Sequence, residues 1–284
     1  MGVEANITIE SDLPRDQVEQ AARACFDRLA QLDAIFSDYK RDSELNNLTK
    51  HPINTPTKVS NDLFLIISQS QHISDITNGA FDITIGPYVA LWRTARSTGT
   101  LPTKEQLADA KQRVGYHLIT LNQANQTITL HANNMKLDLG GIAKGYAAQA
   151  GVQVLKAQGF PRCLVALAGD IATGDAPLTS EPTESESLGW RIDIDSDHST
   201  TKSLRLKGRS VSTSGDTQQF IDIAGIRYSH IVNPRTGLGA VGTTPVTIVG
   251  TDGAIADALA TAFTLLNTSE RQAVLTNVVG YTTP

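Results

Sequence analysis

The chain has little of what marks several classes of protein. It holds only two cysteines, Cys25 and Cys163, in 284 residues. Each sits in an apolar run, which points to buried free thiols rather than to a disulfide framework or a metal pair. No apolar stretch approaches the roughly 20 residues that a membrane-spanning helix needs, and the first residues lack the basic start and hydrophobic run of an export signal. There is no dense Lys/Arg cluster, and 24 basic residues against 29 acidic ones leave a net charge of -5. The electrostatic footprint of a nucleic-acid binder is therefore missing. No internal repeat is visible. What is present, 40% hydrophobic and 19% charged residues with 22 glycines spread along the chain, is an ordinary folding composition. The length suffices for a large core, as a single domain over 1–284 or as two intimately packed subdomains.

Residues 3–10 alternate as a strand does. Pro14 then stands where a helix starts, and Val18, Ala21, Cys25, Leu29, Leu32 and Phe36 keep helical spacing behind it. A second helix is expected from Ser60 as N-cap, with Leu63, Ile66, Ile67, Ser70 and Ile73 on one side and an end near Gly79. Gly86-Pro87 and Gly99 read as a loop, followed by a helix over 104–114. A hairpin is expected over 118–121 and 127–130, and a third short strand over 136–139. Residues 141–158 have the spacing of a packed helix that Gly159 stops. The stretch 163–168 reads as a buried strand, the residues after Gly169-Asp170 as turn-rich, and 176–189, rich in Pro, Ser, Thr and Glu, as a flexible loop. Strands are expected at 190–195, 203–206, 210–213, 220–223, 227–231 and 243–249, and a last helix at 253–266. Without regular βαβ alternation, the class is α+β, with mixed or antiparallel sheets packed against helices.

Five constellations could carry chemistry. In Leu137-Asp138-Leu139-Gly140-Gly141-Ile142-Ala143-Lys144-Gly145-Tyr146 a glycine turn meets a helix start, where free amides and the dipole favour a phosphate. A tight connection would look the same, and the spacing is not that of a Walker A loop. Asp257 and Thr261, four apart on the last helix, are hard oxygen ligands suited to Mg²⁺, or else a dipole-favoured Asp and a back-bonded Thr. His230, just before Asn233-Pro234-Arg235, is either a structural donor or a base able to take a proton near neutral pH. Ser212-Thr213-Ser214-Gly215-Asp216 either holds phosphate or shapes a loop. Tyr39 and Phe81 each stand beside polar groups, as platforms for a flat ring or as core.

Taken in order, these segments resemble the FAD:protein FMN transferase family, often called ApbE. The likeness runs from Met1-Gly2 through S-x-Y-x-x-x-S-E-L around Tyr39, G-x-F-D around Phe81, D-L-G-G-I-A-K-G-Y-A, Gly169-Asp170, S-T-S-G-D, H-I-x-N-P-x-T-G and A-D-A-L-A-T. It implies an α+β fold related to the tunnelling fold, and Mg²⁺-dependent cleavage of the FAD pyrophosphate. FMN would pass to a Thr or Ser hydroxyl of an acceptor flavoprotein as a phosphoester, with release of AMP. Carried over by motif, Met1, Tyr39, Ala80, Phe81, Asp82, Gly140 and Ile231 would line the FAD site. Asp257, Thr261 and the carbonyl of Ala143 would hold the metal, His230 would act as general base, and Lys144 would steady the phosphates.

The chain departs from the family pattern at Ala168, where Gly is frequent, at Gln149 and Asn233, where Asp is common, and in a C-terminal edge expected to be shortened or divergent. Two other activities fit the same motifs: an FAD pyrophosphatase giving FMN and AMP, and a flavin-binding protein without turnover. Tyr39 favours transfer over hydrolysis, and the metal ligands and base argue against passive binding. Many relatives are lipoproteins on the periplasmic side of the bacterial inner membrane. A start at Met1-Gly2 fits a removed export segment, with the membrane reached only through a lost lipid anchor. Cytoplasmic relatives leave the other compartment open.

Overall fold

The chain opens with strand β1 (Ala5–Ile9) and the long helix α1 (Arg15–Phe36), in a computed structural model that describes residues 2–178, 189–196, 200–215 and 220–284. Met1, residues 179–188 of the expected flexible loop, and Asp216 lie outside the described residues. Helix α1 buries Ala21, Cys25, Leu29, Leu32 and Phe36, the positions that the three-to-four spacing selects. Burial of each larger side chain is worth about 1.5–3 kcal/mol. Next come α2 (Glu44–Leu48), β2 (Thr57–Lys58) and α3 (Asn61–Ile76). Ser60 caps α3 by accepting from the Leu63 amide at 3.3 Å, and its own N–H and hydroxyl both donate to the Glu44 carboxylate at 2.6 Å. Helices α1 and α3 are also tied side to side. The Arg28 guanidinium donates to both Asp62 oxygens at 2.9 and 2.5 Å, and the Tyr146 hydroxyl donates to the same carboxylate at 2.8 Å.

Helix α4 (Gly86–Thr98) corrects the expected loop at Gly86-Pro87. Proline fits a first helical turn because its missing N–H would be unpaired there anyway, and Tyr88, Trp92 and Ala95 then bury one stripe. Gly86 also has to be bare. A Cβ on it would lie 2.5 Å from the Lys136 carbonyl oxygen, so the helix start rides on the backbone of that segment. The expected strand at 136–139 is absent: the Asp138 amide donates to the Ile83 carbonyl at 2.8 Å and joins no ladder. Gly99, at φ +69°, ends α4.

Then follow α5 (Lys104–Lys111), the hairpin β3 (Ile119–Asn122) and β4 (Thr127–Leu130), and α6 (Ala143–Ala157). Strand β5 (Cys163–Leu167) turns tightly into β6 (Asp170–Thr173), with Ala168 at φ +54°. The residues after Gly169-Asp170 are thus a strand and not the turn-rich stretch expected. Strands β7 (Trp190–Ser196), β8 (Thr200–Leu206), β9 (Ser210–Ser214), β10 (Phe220–Ile223), β11 (Ile226–Val232), β12 (Gly239–Val241) and β13 (Val246–Gly250) precede α7 (Gly253–Phe263) and α8 (Thr268–Asn277). The C-terminal edge expected to be short still carries a helix, capped reciprocally by Asn267 and Glu270, and Thr282 returns to bridge Val249 of β13.

The ladders are antiparallel among the described residues, and the main sheet has the order β1-β5-β6-β9-β13. The smaller sheets are β10-β11-β12, β2-β4-β3 and the hairpin β7-β8. Inward residues of the main sheet, among them Cys163, Val165, Leu167 and Ile248, join α1, α3, α6 and α7 in the large core. Its outward residues Leu164, Ile171 and Val211 are covered by Ile192, Ile194 and Leu206 of the β7-β8 hairpin. A further core gathers α4 and α5 against Ile223, Tyr228 and Val232 of the β10-β11 pair. Cys25 and Cys163 are buried free thiols, and burial pushes the Cys163 thiol up to about 11. Among the described residues no helix is long and apolar enough to cross a membrane.

Candidate active site

The start of α6 is a corner stitched by its own backbone. The Leu139 carbonyl accepts from the Ile142 and Ala143 amides at 3.0 and 2.9 Å, and Asp138 Oδ1 accepts from the Gly140 amide at 2.7 Å. This corner lies against α7 because three glycines let it. A Cβ on Gly145 would sit 2.0 Å from the Gly253 carbonyl oxygen and 2.9 Å from the Asp257 Cβ, and one on Gly141 would meet the Thr261 hydroxyl oxygen at 2.9 Å. Only backbone fits between the two helix starts. Asp252 caps α7 through the Ile255 amide at 3.1 Å, and Gln149 accepts from the Gly253 amide. The glutamine that departs from the family pattern therefore ties α6 to the beginning of α7.

Asp257 is 1% exposed and accepts from the Gly145 amide at 3.1 Å. The Lys144 ammonium donates to Asp170 at 2.7 Å, to Asp257 at 3.3 Å and to the Gly140 carbonyl at 3.3 Å. Burial first, and then the Asp170 charge, push the Asp257 carboxyl up to about 7, against the pull of Lys144 and the Gly145 amide. Burial works against the lysine's charge as well, but the two carboxylates outweigh it and hold Lys144 above the ordinary lysine value. Thr261, one turn along α7, shares a 3.2 Å hydrogen bond with the Ser214 hydroxyl.

No group of three or more His, Cys, Asp or Glu side chains suited to a metal occurs among the described residues. A cation here would take a mixed oxygen set. Asp257 would supply a carboxylate, Thr261 a hydroxyl and Ala143, the first residue of α6, a carbonyl, and the bare contacts of Gly141 with Thr261 and of Gly145 with Asp257 set α6 against α7 there. Hard oxygens in small number fit Mg²⁺.

The rest of the site is built differently. Strand β11 carries His230 outward, between buried Ser229 and half-buried Ile231. The turn after it is closed by Asn233, whose side chain accepts from the Arg235 amide at 2.9 Å and whose carbonyl accepts from the Gly237 amide at 2.8 Å. Gly237, at φ +75°, is pressed on the Tyr88 ring, where a Cβ would come within 2.7 Å. Tyr39 is 77% exposed, which excludes a core role, and the Arg93 guanidinium lies over its ring at 4.3 Å from the centroid. Arg93 is in turn ion-paired with Asp38 and, at 3.9 Å, with Asp138. Ala80 and Phe81 are buried in the large core. Asp82 accepts from the Thr84 amide and hydroxyl at 2.8 and 2.7 Å, and burial holds its carboxyl above the usual range.

One cavity of about 280 Å³ brings together Tyr39, Ala80, Phe81, Asp82, Gly140, Lys144, His230, Ile231 and Thr261. Ala143 and Asp257 do not line it; both are buried, and Lys144, which does line it, contacts Asp257. Also lining it are Arg93, Arg96, Trp92, Asp38 and Leu265, to which the sequence assigns no role, with Asp138 and Ser214 of the motifs named above. The signal was in the spacing: Val89, Arg93 and Arg96 form a helical i, i+4, i+7 stripe, hidden because that segment reads as a loop.

The family model described as the ApbE family matches residues 1–281. A Treponema pallidum protein named FAD:protein FMN transferase is 29% identical, with 99% of this chain aligned to 80% of that protein. An Escherichia coli K12 protein of the same name is 31% identical over 73% of this chain and 60% of its own length. Among solved structures, the flavin transferase ApbE of Vibrio cholerae superposes with a TM-score of 0.84 at 24% identity, over 100% of this chain and 94% of the other. The ApbE protein of Thermotoga maritima does so with a TM-score of 0.80 at 28% identity, over 96% and 87%. With a family model covering nearly its full length and a fold shared across these structures, the chain belongs to the ApbE family.

Proposed function

We propose that the protein is an FAD:protein FMN transferase, moving FMN from FAD to a Thr or Ser hydroxyl of an acceptor protein and releasing AMP. The observation that carries this reading is the shared cavity, which is lined by an exposed histidine, an exposed tyrosine ring and a lysine held by two carboxylates. The names of the relatives support the same activity.

In this reading Tyr39, backed by Arg93, offers its open face to a flat ring of FAD, and Phe81 and Ile231 exclude water beside it. Asp257, Thr261 and the Ala143 carbonyl would hold Mg²⁺, which when bound offsets negative charge on the pyrophosphate. Lys144, anchored by Asp170, points a positive charge at the same oxygens. His230 takes the proton from the acceptor hydroxyl. That oxygen bonds to the phosphorus of the FMN half as the pyrophosphate bond breaks, and the electron pair leaves with AMP. Catalysis is then positioning plus charge stabilisation.

Incubation with FAD and Mg²⁺, with and without an acceptor protein, tests this by AMP release and by covalent flavin fluorescence on a denaturing gel. The transferase reading expects AMP and a fluorescent acceptor together. AMP released equally without acceptor would replace it with hydrolysis, and bound FAD without AMP would replace it with passive binding.

A further inference from the structure

A second cavity, of about 460 Å³, adjoins the first and shares Asp38, Tyr39, Val89, Arg93 and Asp138 with it. Its lining adds three exposed cations, Arg41, Lys50 and Lys136. The Lys50 ammonium is steadied at this rim by the Arg41 carbonyl and the Asn47 side chain, both at 2.9 Å. Neither contact neutralises it. Among the described residues none of the three cations is in an ion pair, and the carboxylates on the shared wall, Asp38 and Asp138, are engaged by Arg93. In a chain of net charge -5, this is a local excess of positive charge around one groove.

FAD does not account for it. The dinucleotide's formal negative charge is confined to its pyrophosphate, which the proposed function sets against Lys144, a residue outside this second cavity. The cations are left to match charge on something else that must come to the same place.

We propose that the groove of Arg41, Lys50 and Lys136 docks the acceptor protein through an acidic segment beside its target hydroxyl. This rests on the transferase reading and adds to it the chemistry of the partner. The Asp and Glu side chains of that segment meet the three cations while the hydroxyl reaches His230 in the adjoining cavity. Because the cavities share a wall, an extended segment passes from one to the other in few residues, at about 3.3–3.6 Å each. The charges bring the segment in and set its register.

The test uses the intact protein and two labelled peptides of equal length, one with a central Thr flanked by Asp and Glu, the other with Asn and Gln in their place. Fluorescence anisotropy is read with and without FAD and Mg²⁺. The acidic peptide is expected to bind more tightly than its amide counterpart, to weaken as salt rises, and to lose about tenfold or more in affinity in the variant Arg41→Glu/Lys50→Glu/Lys136→Glu. A control with the same change in net charge, Arg15→Glu/Arg23→Glu/Lys111→Glu, should bind as the wild type does. FAD affinity, read by flavin fluorescence quenching, should be equal in all three proteins. Equal binding of the two peptides, or an equal loss in the control, would overturn the proposal. A matching fall in FAD affinity would overturn it too, by giving the cations to the dinucleotide. Peptide binding needs no turnover, so absence of FMN transfer would remove the functional reading without touching the docking site, and absence of charge-dependent binding would do the reverse.

Discussion

On the α6–α7 wall of the cavity the chemical groups are held by backbone. The Gly145 amide grips Asp257, glycines at 141 and 145 bring the corner against α7, and Lys144 is fixed between two buried carboxylates. Elsewhere in the lining, His230 and Tyr39 are exposed side chains, and the Arg93 guanidinium lies over the Tyr39 ring. The first wall is part of the core, so its residues serve folding and chemistry together. The second is exposed and lies outside the large core. Substitutions should accordingly separate function from stability on one wall and mix them on the other.

The comparison is sharpened first at His230. His230→Ala should cut the rate of FMN transfer by about 10²–10⁴-fold while leaving FAD affinity and the melting temperature unchanged, as single-turnover flavinylation and thermal unfolding will show. An unchanged rate would remove the base assignment. Asp257→Ala should lower Mg²⁺-dependent AMP release by about 10²-fold or more and, unlike the histidine change, also shift unfolding, because Lys144 and the Gly145 amide both lose a partner. Magnesium titrations that superpose on those of the wild type would break the metal assignment.

Gly145→Ala tests the wall without touching a functional side chain. The new Cβ would meet the Gly253 carbonyl, and overpacking of this kind costs about 1–3 kcal/mol or more. Urea unfolding should show that loss, together with a weakened magnesium dependence. A stable variant would mean that the two helix starts are not held in contact. The smallest effect is expected at Arg93→Ala. A cation–π contact at an exposed site is worth about 0.5–1 kcal/mol, so KM for FAD should rise a few-fold with kcat nearly constant. A fall in kcat alone would place Arg93 in the chemistry instead of behind the ring.

Much of the fold was legible in local spacing. The apolar positions of α1 and α3, the Ser60 cap, the β3-β4 hairpin and the strands around His230 follow from periodicity and turn chemistry, and they appear where these put them. The reading failed where a glycine or proline had a tertiary reason. Gly86-Pro87 looked like a loop, yet it opens α4 because the Lys136 backbone must pass close to it. Residues 136–139 looked like a strand, yet their bonding partner is the Ile83 carbonyl. The strand at 170–173 was hidden by a turn in which Ala168 adopts a positive φ that its side chain disfavours.

The candidate site divides in the same way. Gly140, Gly141 and Lys144 beside a helix start, Asp257 and Thr261 one turn apart, and His230 at a strand end are local patterns, so the sequence by itself determined which residue types were offered for phosphate, metal and proton. It also determined the family, because the motifs occur in a fixed order. Only the tertiary structure decided that Asp170 shares Lys144 with Asp257, that Arg93 backs Tyr39, and that Arg41, Lys50 and Lys136 surround one groove. Those contacts join residues far apart in the chain. Which charge faces which is set by how helices and sheet pack, and no spacing along a single segment encodes it.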